Sequence, residues 1–178
     1  MKSVVNNSLI KKLALPSTLK TLKNAANKIN TINLTNINIP EDNQYFSSVS
    51  GMLYSKDKSI LYIYPSGREG IIIFPDKAAD LNAISYKNNA SGFSVLPDYP
   101  VYSTNDGILT TKEKTKILAV PSAKTSYHMG STIKNIYNLN FVKNYMDKLE
   151  KITADPQNKE VAIHHPLLQK LMKMHFLY

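Results

Sequence analysis

One stretch of the sequence returns later in the chain without a gap. Residues 45–67 read YFSSVSGMLYSKDKSILYIYPSG, and residues 101–123, 56 positions further on, read VYSTNDGILTTKEKTKILAVPSA. Average composition would supply about one or two identities in such an alignment. The identical pairs number seven: Ser47/Ser103, Gly51/Gly107, Leu53/Leu109, Lys56/Lys112, Lys58/Lys114, Pro65/Pro121 and Ser66/Ser122. A period of this length predicts a repeat protein whose units bury their core against one another.

A second repeated segment agrees with this spacing. The segment STLKTL at 17–22 returns as STIKNI at 131–136, close to two periods further along the chain. Between them, residues 76–81 keep apolar residues at the same distances after Pro75 as 17–22 keep after Pro16. The apolar frame therefore repeats three times.

Short apolar segments mark the predicted strands. Several alternate apolar and polar residues, which places side chains on opposite faces of a strand. Four end at a proline, which cannot donate to a strand ladder. We interpret six segments as short strands, or rungs, stacked in three pairs: 13–16 with 37–40, 71–75 with 93–97, and 127–130 with 149–152.

The gapless match itself predicts a β-hairpin in each copy. Residues 52–54 and 60–64 are apolar or aromatic and are separated by the polar loop 55–59, and residues 110–115 provide the same loop in the second copy. Gly51 and Gly107 are expected to form a turn with positive φ before the first hairpin strand.

These segments resemble the BspA-type leucine-rich repeat proteins over roughly residues 9–159. The resemblance rests on LPSTLKTL at 15–22, the run 43–67 and its copy at 103–126. It implies an α/β repeat fold, a right-handed leucine-rich-repeat solenoid with short parallel strands and inserted β-hairpins. It also implies a secreted or surface-attached protein that binds other macromolecules and has no enzyme activity. The family's helical aromatic positions are occupied here by Ala25-Ala26, Ser85-Tyr86 and Asn140-Phe141.

The repeat frame suggests boundaries along the chain. We expect an N-terminal tail at 1–8, a solenoid at 9–159 with modules at about 9–67, 68–123 and 124–159, and a degenerate cap or unrelated tail at 160–178. Residues 152–159 resemble the segment 40–44 that leads into the first hairpin. The tail carries an apolar stripe able to cover an exposed end rung.

Composition and charge restrict the partners. The formal net charge is +9, almost all from lysine, and Arg68 is the only arginine. Charge alone is compatible with an acidic partner, but nucleic acid is disfavoured because arginine is the residue best suited to bidentate phosphate and guanine contacts. The lysines are scattered over predicted loops, and we interpret them as a solvated surface.

The sequence gives two indications of compartment, and they differ. It contains no cysteine, no apolar run long enough to cross a bilayer, and no apolar signal-peptide core near Met1. The family resemblance implies an extracellular or cell-surface location, which would make the chain a fragment without its export signal. A complete chain would be cytoplasmic.

No residue pattern indicates catalysis, a cofactor or a metal site. His128 stands alone, His164 and His165 are adjacent and would point oppositely on a strand, and His175 has no carboxylate pattern near it. There is no nucleophile elbow and no glycine-rich phosphate loop. Residues 155–158 lack the spacing of a calcium loop.

The sequence therefore predicts a non-catalytic, adhesion-like interaction module that binds a protein or glycan. Its partner should meet outward strand positions and hairpin tips, since these can vary without disturbing the core. The alternative is a structural spacer or a fragment of a larger repeat protein without an independent ligand. An anion-binding protein driven by lysine charge is a third alternative.

Overall fold

The computed structural model describes residues 9–22, 33–84, 88–134 and 148–158. The chain divides into two units: unit 1 contains Met1–Glu69 and Phe74–Asn89, and unit 2 contains Gly70–Ile73 and Ala90–Tyr178. The described residues form β-strands and turns and contain no helix, so they do not support the helical part of the predicted α/β class. The three candidate helix pairs at 25–26, 85–86 and 140–141 lie outside the described residues, as do the predicted tails at 1–8 and 160–178.

The strands are short. In chain order they are β1 (Lys12–Ala14), β2 (Asn36–Asn38), β3 (Phe46–Val49), β4 (Met52–Ser55), β5 (Leu61–Ile63), β6 (Glu69–Ile73), β7 (Asn89–Ser94), β8 (Tyr102–Asn105), β9 (Ile108–Thr111), β10 (Ile117–Ala119), β11 (Ser126–Met129) and β12 (Lys151–Ala154).

Six of these strands are the rungs, and they form three two-stranded sheets. Strand β1 runs parallel to β2, β11 runs parallel to β12, and β6 pairs with β7. The predicted grouping of six apolar segments into three pairs is confirmed. The predicted bounds were wrong for every segment, and five of the strands begin one to four residues earlier than predicted. Strand β7 ends at Ser94, which leaves Leu96 outside the rung and 53% exposed, and β12 begins at Lys151, two positions after the start of the predicted segment.

The other six strands form two three-stranded antiparallel sheets, β3-β4-β5 in unit 1 and β8-β9-β10 in unit 2. Their registers correspond position by position between the two copies, because Ser48 lies opposite Leu53 and Thr104 opposite Leu109. The prediction that both copies share one shape is confirmed. The prediction of a two-stranded hairpin was incomplete, since β3 and β8 add a strand before each glycine.

Each unit has its own apolar cluster. In unit 1 the inward residue Ile37 of β2 and Ile39, which directly follows this strand, pack with Leu53 of the hairpin. In unit 2 the cluster combines rung and hairpin residues in the same way, and its members include Tyr127, Met129, Ile152, Ile108 and Ile117. As predicted, the hairpin leucines are buried and the loop lysines are not: Leu53 and Leu109 are at most 1% exposed, whereas Lys58 and Lys114 are exposed.

An asparagine completes the hydrogen bonding of the rung pairs β1-β2 and β11-β12. The Asn43 side-chain amide donates to the carbonyls of Ser17 and Leu19, both at 2.8 Å, and its Oδ1 accepts from the backbone amides of Tyr45 and Phe46. The Asn158 amide donates in the same way to the carbonyls of Gly130 and Ile133, at 2.8 and 3.1 Å. The resemblance of 152–159 to the segment before the first hairpin therefore reflects a shared geometry.

Replacing Asn43 by alanine is expected to lower the free energy of unfolding by at least about 2 kcal/mol. Asn43 is fully buried, and its loss leaves the buried Phe46 amide and three part-buried backbone groups without this partner, at about 1–3 kcal/mol for a buried group. Urea unfolding measures the change. Gln44→Ala, at the exposed neighbouring position, is the control and should cost under about 0.5 kcal/mol. Equal losses in the two variants would show that the asparagine does not hold the rungs.

Candidate functional site

In each unit, the candidate site is the set of rung side chains that point away from the core of that unit. Within β1 and β2 these are Lys12, Ala14 and Asn38, which are exposed, and Asn36, which is half-buried. They alternate with inward residues such as Ile37, as the two-residue period of a strand requires. We call such positions the outward positions.

Outward positions differ in chemistry from one rung pair to the next. On β6 they hold Ile71 and Ile73, which are 68% and 63% exposed. On β11 they hold Ser126 and His128, and the His128 Nδ1 lies 2.9 Å from the hydroxyl of Thr153 on β12. Inward positions are apolar in all three pairs, so the inward pattern repeats while the outward residues change.

A two-residue turn joins the first two strands of each hairpin. Turn 1 is Ser50-Gly51 and turn 2 is Asp106-Gly107, with φ of 48° and 73° in both. Two successive positive φ values characterise a type I′ hairpin turn. The glycine carbonyls accept from rung amides, that of turn 1 from Ile37 at 2.8 Å and that of turn 2 from Phe93 at 2.7 Å. Each turn therefore lies beside the second rung of its pair.

In turn 2 the Asp106 carboxylate is paired with a cation and a backbone amide. The Lys124 ammonium lies 3.2 Å from Asp106 Oδ1, and the His128 amide donates to Asp106 Oδ2 at 2.8 Å. Next to this pair, the Tyr127 hydroxyl donates to Asn105 Oδ1 at 3.1 Å. Burial raises the pKa of the Tyr127 phenol, and the negative charge of Asp106 raises it further.

Turn 1 has the same backbone and a different charge balance. Ser50 replaces the aspartate, and Arg68 takes the place of Lys124 one repeat earlier in the chain. The Arg68 Nη1 donates to the Thr35 carbonyl at 3.3 Å, and its Nε is buried without a hydrogen-bond partner among the residues that the structure describes. Burial raises the pKa of the Tyr64 phenol, against the lowering effect of the Arg68 charge.

Two hairpin lysines do more than face solvent, because their ammonium groups also bind backbone carbonyls. The Lys56 ammonium donates to the carbonyls of Glu41 and Asn43 at 2.8 and 2.6 Å, and the Lys112 ammonium donates to the carbonyl of Pro97 at 3.2 Å. Because 41 and 97 are one period apart, the two lysines perform the same structural task. A groove of about 560 Å³ runs beside Lys56 along the first hairpin of unit 1.

No cluster of three or more metal-ligating side chains occurs in the described part of the chain. His128 lies there, on the outward side of β11, whereas residues 164, 165 and 175 fall outside it. Within the same ranges, no helix is long and apolar enough to cross a membrane.

Sequence reasoning missed the side chains that surround the turns, Asn36 and Arg68 at turn 1 and Lys124 at turn 2. The sequence around a strand asparagine or a single lysine or arginine does not indicate that its side chain will contact a turn elsewhere in the fold. The Asp-Gly dipeptide of turn 2 could have revealed β8, since it is a strong hairpin signal.

Comparison with known proteins gives structural similarity alone. No protein-family model matches the chain, and no curated protein matches it. The crystal structure of the pneumococcal vaccine antigen PcpA is similar at 19% sequence identity and a TM-score of 0.44, covering 83% of this chain and 40% of that one. A leucine-rich repeat protein from Eubacterium ventriosum is similar at 18% identity and a TM-score of 0.44, covering 80% and 48%. The chain spans less than half the length of either protein.

The first hairpin loop gives a pH-dependent prediction. Hydrogen bonds from the hydroxyl of Ser55, and then from the amide and hydroxyl of Ser59, lower the pKa of Asp57 below its usual 3.8. The ionised carboxylate therefore stabilises the loop above that value, and the stabilisation is lost as the pH falls through the lowered pKa. An NMR titration of the Asp57 carboxyl should give a midpoint below 3.8 that rises in a Ser55→Ala/Ser59→Ala variant. An unchanged midpoint in that variant would contradict the assigned cause.

Proposed function

We propose that the chain is a non-catalytic interaction module of a surface-type leucine-rich-repeat protein, similar to the BspA type and adhesion-like in function. The observation that carries the proposal is the contrast between inward and outward rung positions. Ile37, Tyr127 and Ile152 are buried, while the neighbouring outward residues change from lysine and asparagine to serine, histidine and threonine. A repeated core with a changing outer surface is what a recognition scaffold needs.

The binding surface of this proposal includes an apolar region in unit 2. Ile71 and Ile73 project from β6 with more than half of their surface exposed. Ile71 Cγ1 lies 3.5 Å from the point that a Cβ on Gly92 would occupy, so this position of the neighbouring strand offers no side chain to cover it. Exposed apolar side chains that adjoin one another are typical of contact surfaces.

The proposed partner is a protein or glycan outside the cell. This location follows the family resemblance of the sequence, as do the assignment to a solenoid and the expectation of no enzyme activity. If no partner exists, the chain is a spacer within a longer repeat protein.

Retention on immobilised matrix proteins and glycans tests the proposal. We expect the chain to be retained at both ~0.15 M and ~0.5 M salt, because exposed charge contacts are largely screened at the higher value. Ile71→Thr/Ile73→Thr should reduce retention by roughly fivefold or more while changing stability little, since both side chains are exposed and threonine also favours strands.

The control is Leu96→Thr/Val101→Thr, which removes two exposed apolar residues of unit 2 outside the rung strands. It should retain the partner as the unmodified chain does. Equal losses of retention in both variants would indicate non-specific apolar contact. Retention at ~0.15 M salt alone would indicate that the lysine charges, and not a specific surface, cause the binding. No retention under any condition would favour the spacer.

A further inference from the structure

Turn 1 and turn 2 have the same backbone, yet only turn 2 contains a carboxylate. Asp106 of turn 2 accepts from the Lys124 ammonium and from the His128 amide. Ser50 takes its place in turn 1 with the same φ of 48°. The arginine that corresponds to Lys124 therefore has no acidic neighbour at the equivalent position.

Hydrogen-bond donors converge on turn 1. Asn36 Nδ2 and Arg68 Nη1 lie 2.5 and 2.9 Å from the single point that a Cβ on Gly51 would occupy. The Ser50 hydroxyl and the Asn36 side-chain amide form no hydrogen bond with any other residue in the described ranges. Lys12 lies opposite Asn36 in the β1-β2 register and is exposed.

Arg68 is half-buried and incompletely satisfied. Its Nη1 makes one long bond of 3.3 Å to the Thr35 carbonyl, and its Nε has no partner among the described residues. Unlike Lys124, Arg68 makes no ion pair with any residue that the structure describes. A partly desolvated cation without a counter-ion is unfavourable, so an added anion would be stabilised there more than at a fully exposed lysine.

We propose that turn 1, with Arg68, Asn36, Ser50 and Lys12, binds a carboxylate of an acidic polypeptide segment. This inference rests on the proposed interaction function and names the chemistry of one partner. The bound carboxylate would occupy the role that Asp106 fills within turn 2. A planar guanidinium beside an amide donor matches the two oxygens of a carboxylate.

The neighbouring outward residues favour a polypeptide over a glycan or nucleic acid. Asn36 and Asn38 side chains both donate and accept, as hydrogen bonding to a peptide backbone requires. The outward positions of β1 and β2 carry no aromatic side chain on which a sugar ring or base could stack. The cations Lys12 and Arg68 do not form the row of charges that a nucleic-acid phosphate backbone needs.

The single arginine makes the test direct, because the full chain has one Nε–Hε resonance in a ¹⁵N NMR spectrum. A hexaglutamate peptide should shift this signal in a saturable manner, and hexaglutamine should not. Ser50→Asp supplies an internal carboxylate as turn 2 does, and it should weaken hexaglutamate binding about tenfold or more with Arg68 still present. Aspartate tolerates positive φ, so the turn is expected to remain intact.

Lys124→Gln is the matched control, since it removes the equivalent cation of turn 2, and it should leave hexaglutamate affinity within about twofold. Unchanged affinity in Ser50→Asp, an equal loss in Lys124→Gln, or an equal response to hexaglutamine would overturn the proposal. A response to polygalacturonate without one to hexaglutamate would overturn the polypeptide as occupant. The retention experiment tests Ile71 and Ile73 of unit 2, whereas hexaglutamate binding tests turn 1 of unit 1. One proposal can therefore fail without the other.

Discussion

The two-residue turns are the constraint on which both units depend. Ser50-Gly51 and Asp106-Gly107 have positive φ at both residues, and this fixes which residues of the flanking strands lie opposite one another. A slip of one residue would turn buried Leu53 and Leu109 towards solvent. The same turns direct their glycine carbonyls to amides of the rungs β2 and β7, and so attach each hairpin to a rung.

Side chains complete the hydrogen bonding that such short strands leave open. Rungs of three to six residues end in turns whose carbonyls have no strand partner, and buried carbonyls must be satisfied. The side-chain amides of Asn43 and Asn158 donate hydrogen bonds to carbonyls of the turns that follow β1 and β11. Lys56 and Lys112 serve carbonyls of the segments that lead into the hairpins. This explains why a lysine is identical in the two copies although it lies at the surface.

The sequence predicted the features that depend on local pattern and period. The repeat period, the three rung pairs and the glycine turns followed from identities and apolar spacing, and the structure shows them. Strands β3 and β8 were missed because FSSV and YSTN are too polar to stand out as strands. The convergence of Asn36 and Arg68 on Gly51 could not be predicted, since the two side chains lie far apart in the sequence and only the fold brings them together.

One hairpin geometry occurs twice in the molecule, once in each copy of the repeat. In a hairpin with a two-residue turn, the residues that flank the turn form a hydrogen-bonded pair. The next pair out, here Ser48 with Leu53 and Thr104 with Leu109, is not hydrogen-bonded, and its Cα atoms lie roughly 4.5 Å apart. We expect strong nuclear Overhauser contacts between the Hα atoms of Ser48 and Leu53 and between those of Thr104 and Leu109. Contacts displaced by one residue in either hairpin, or present in one hairpin alone, would contradict the shared hairpin geometry.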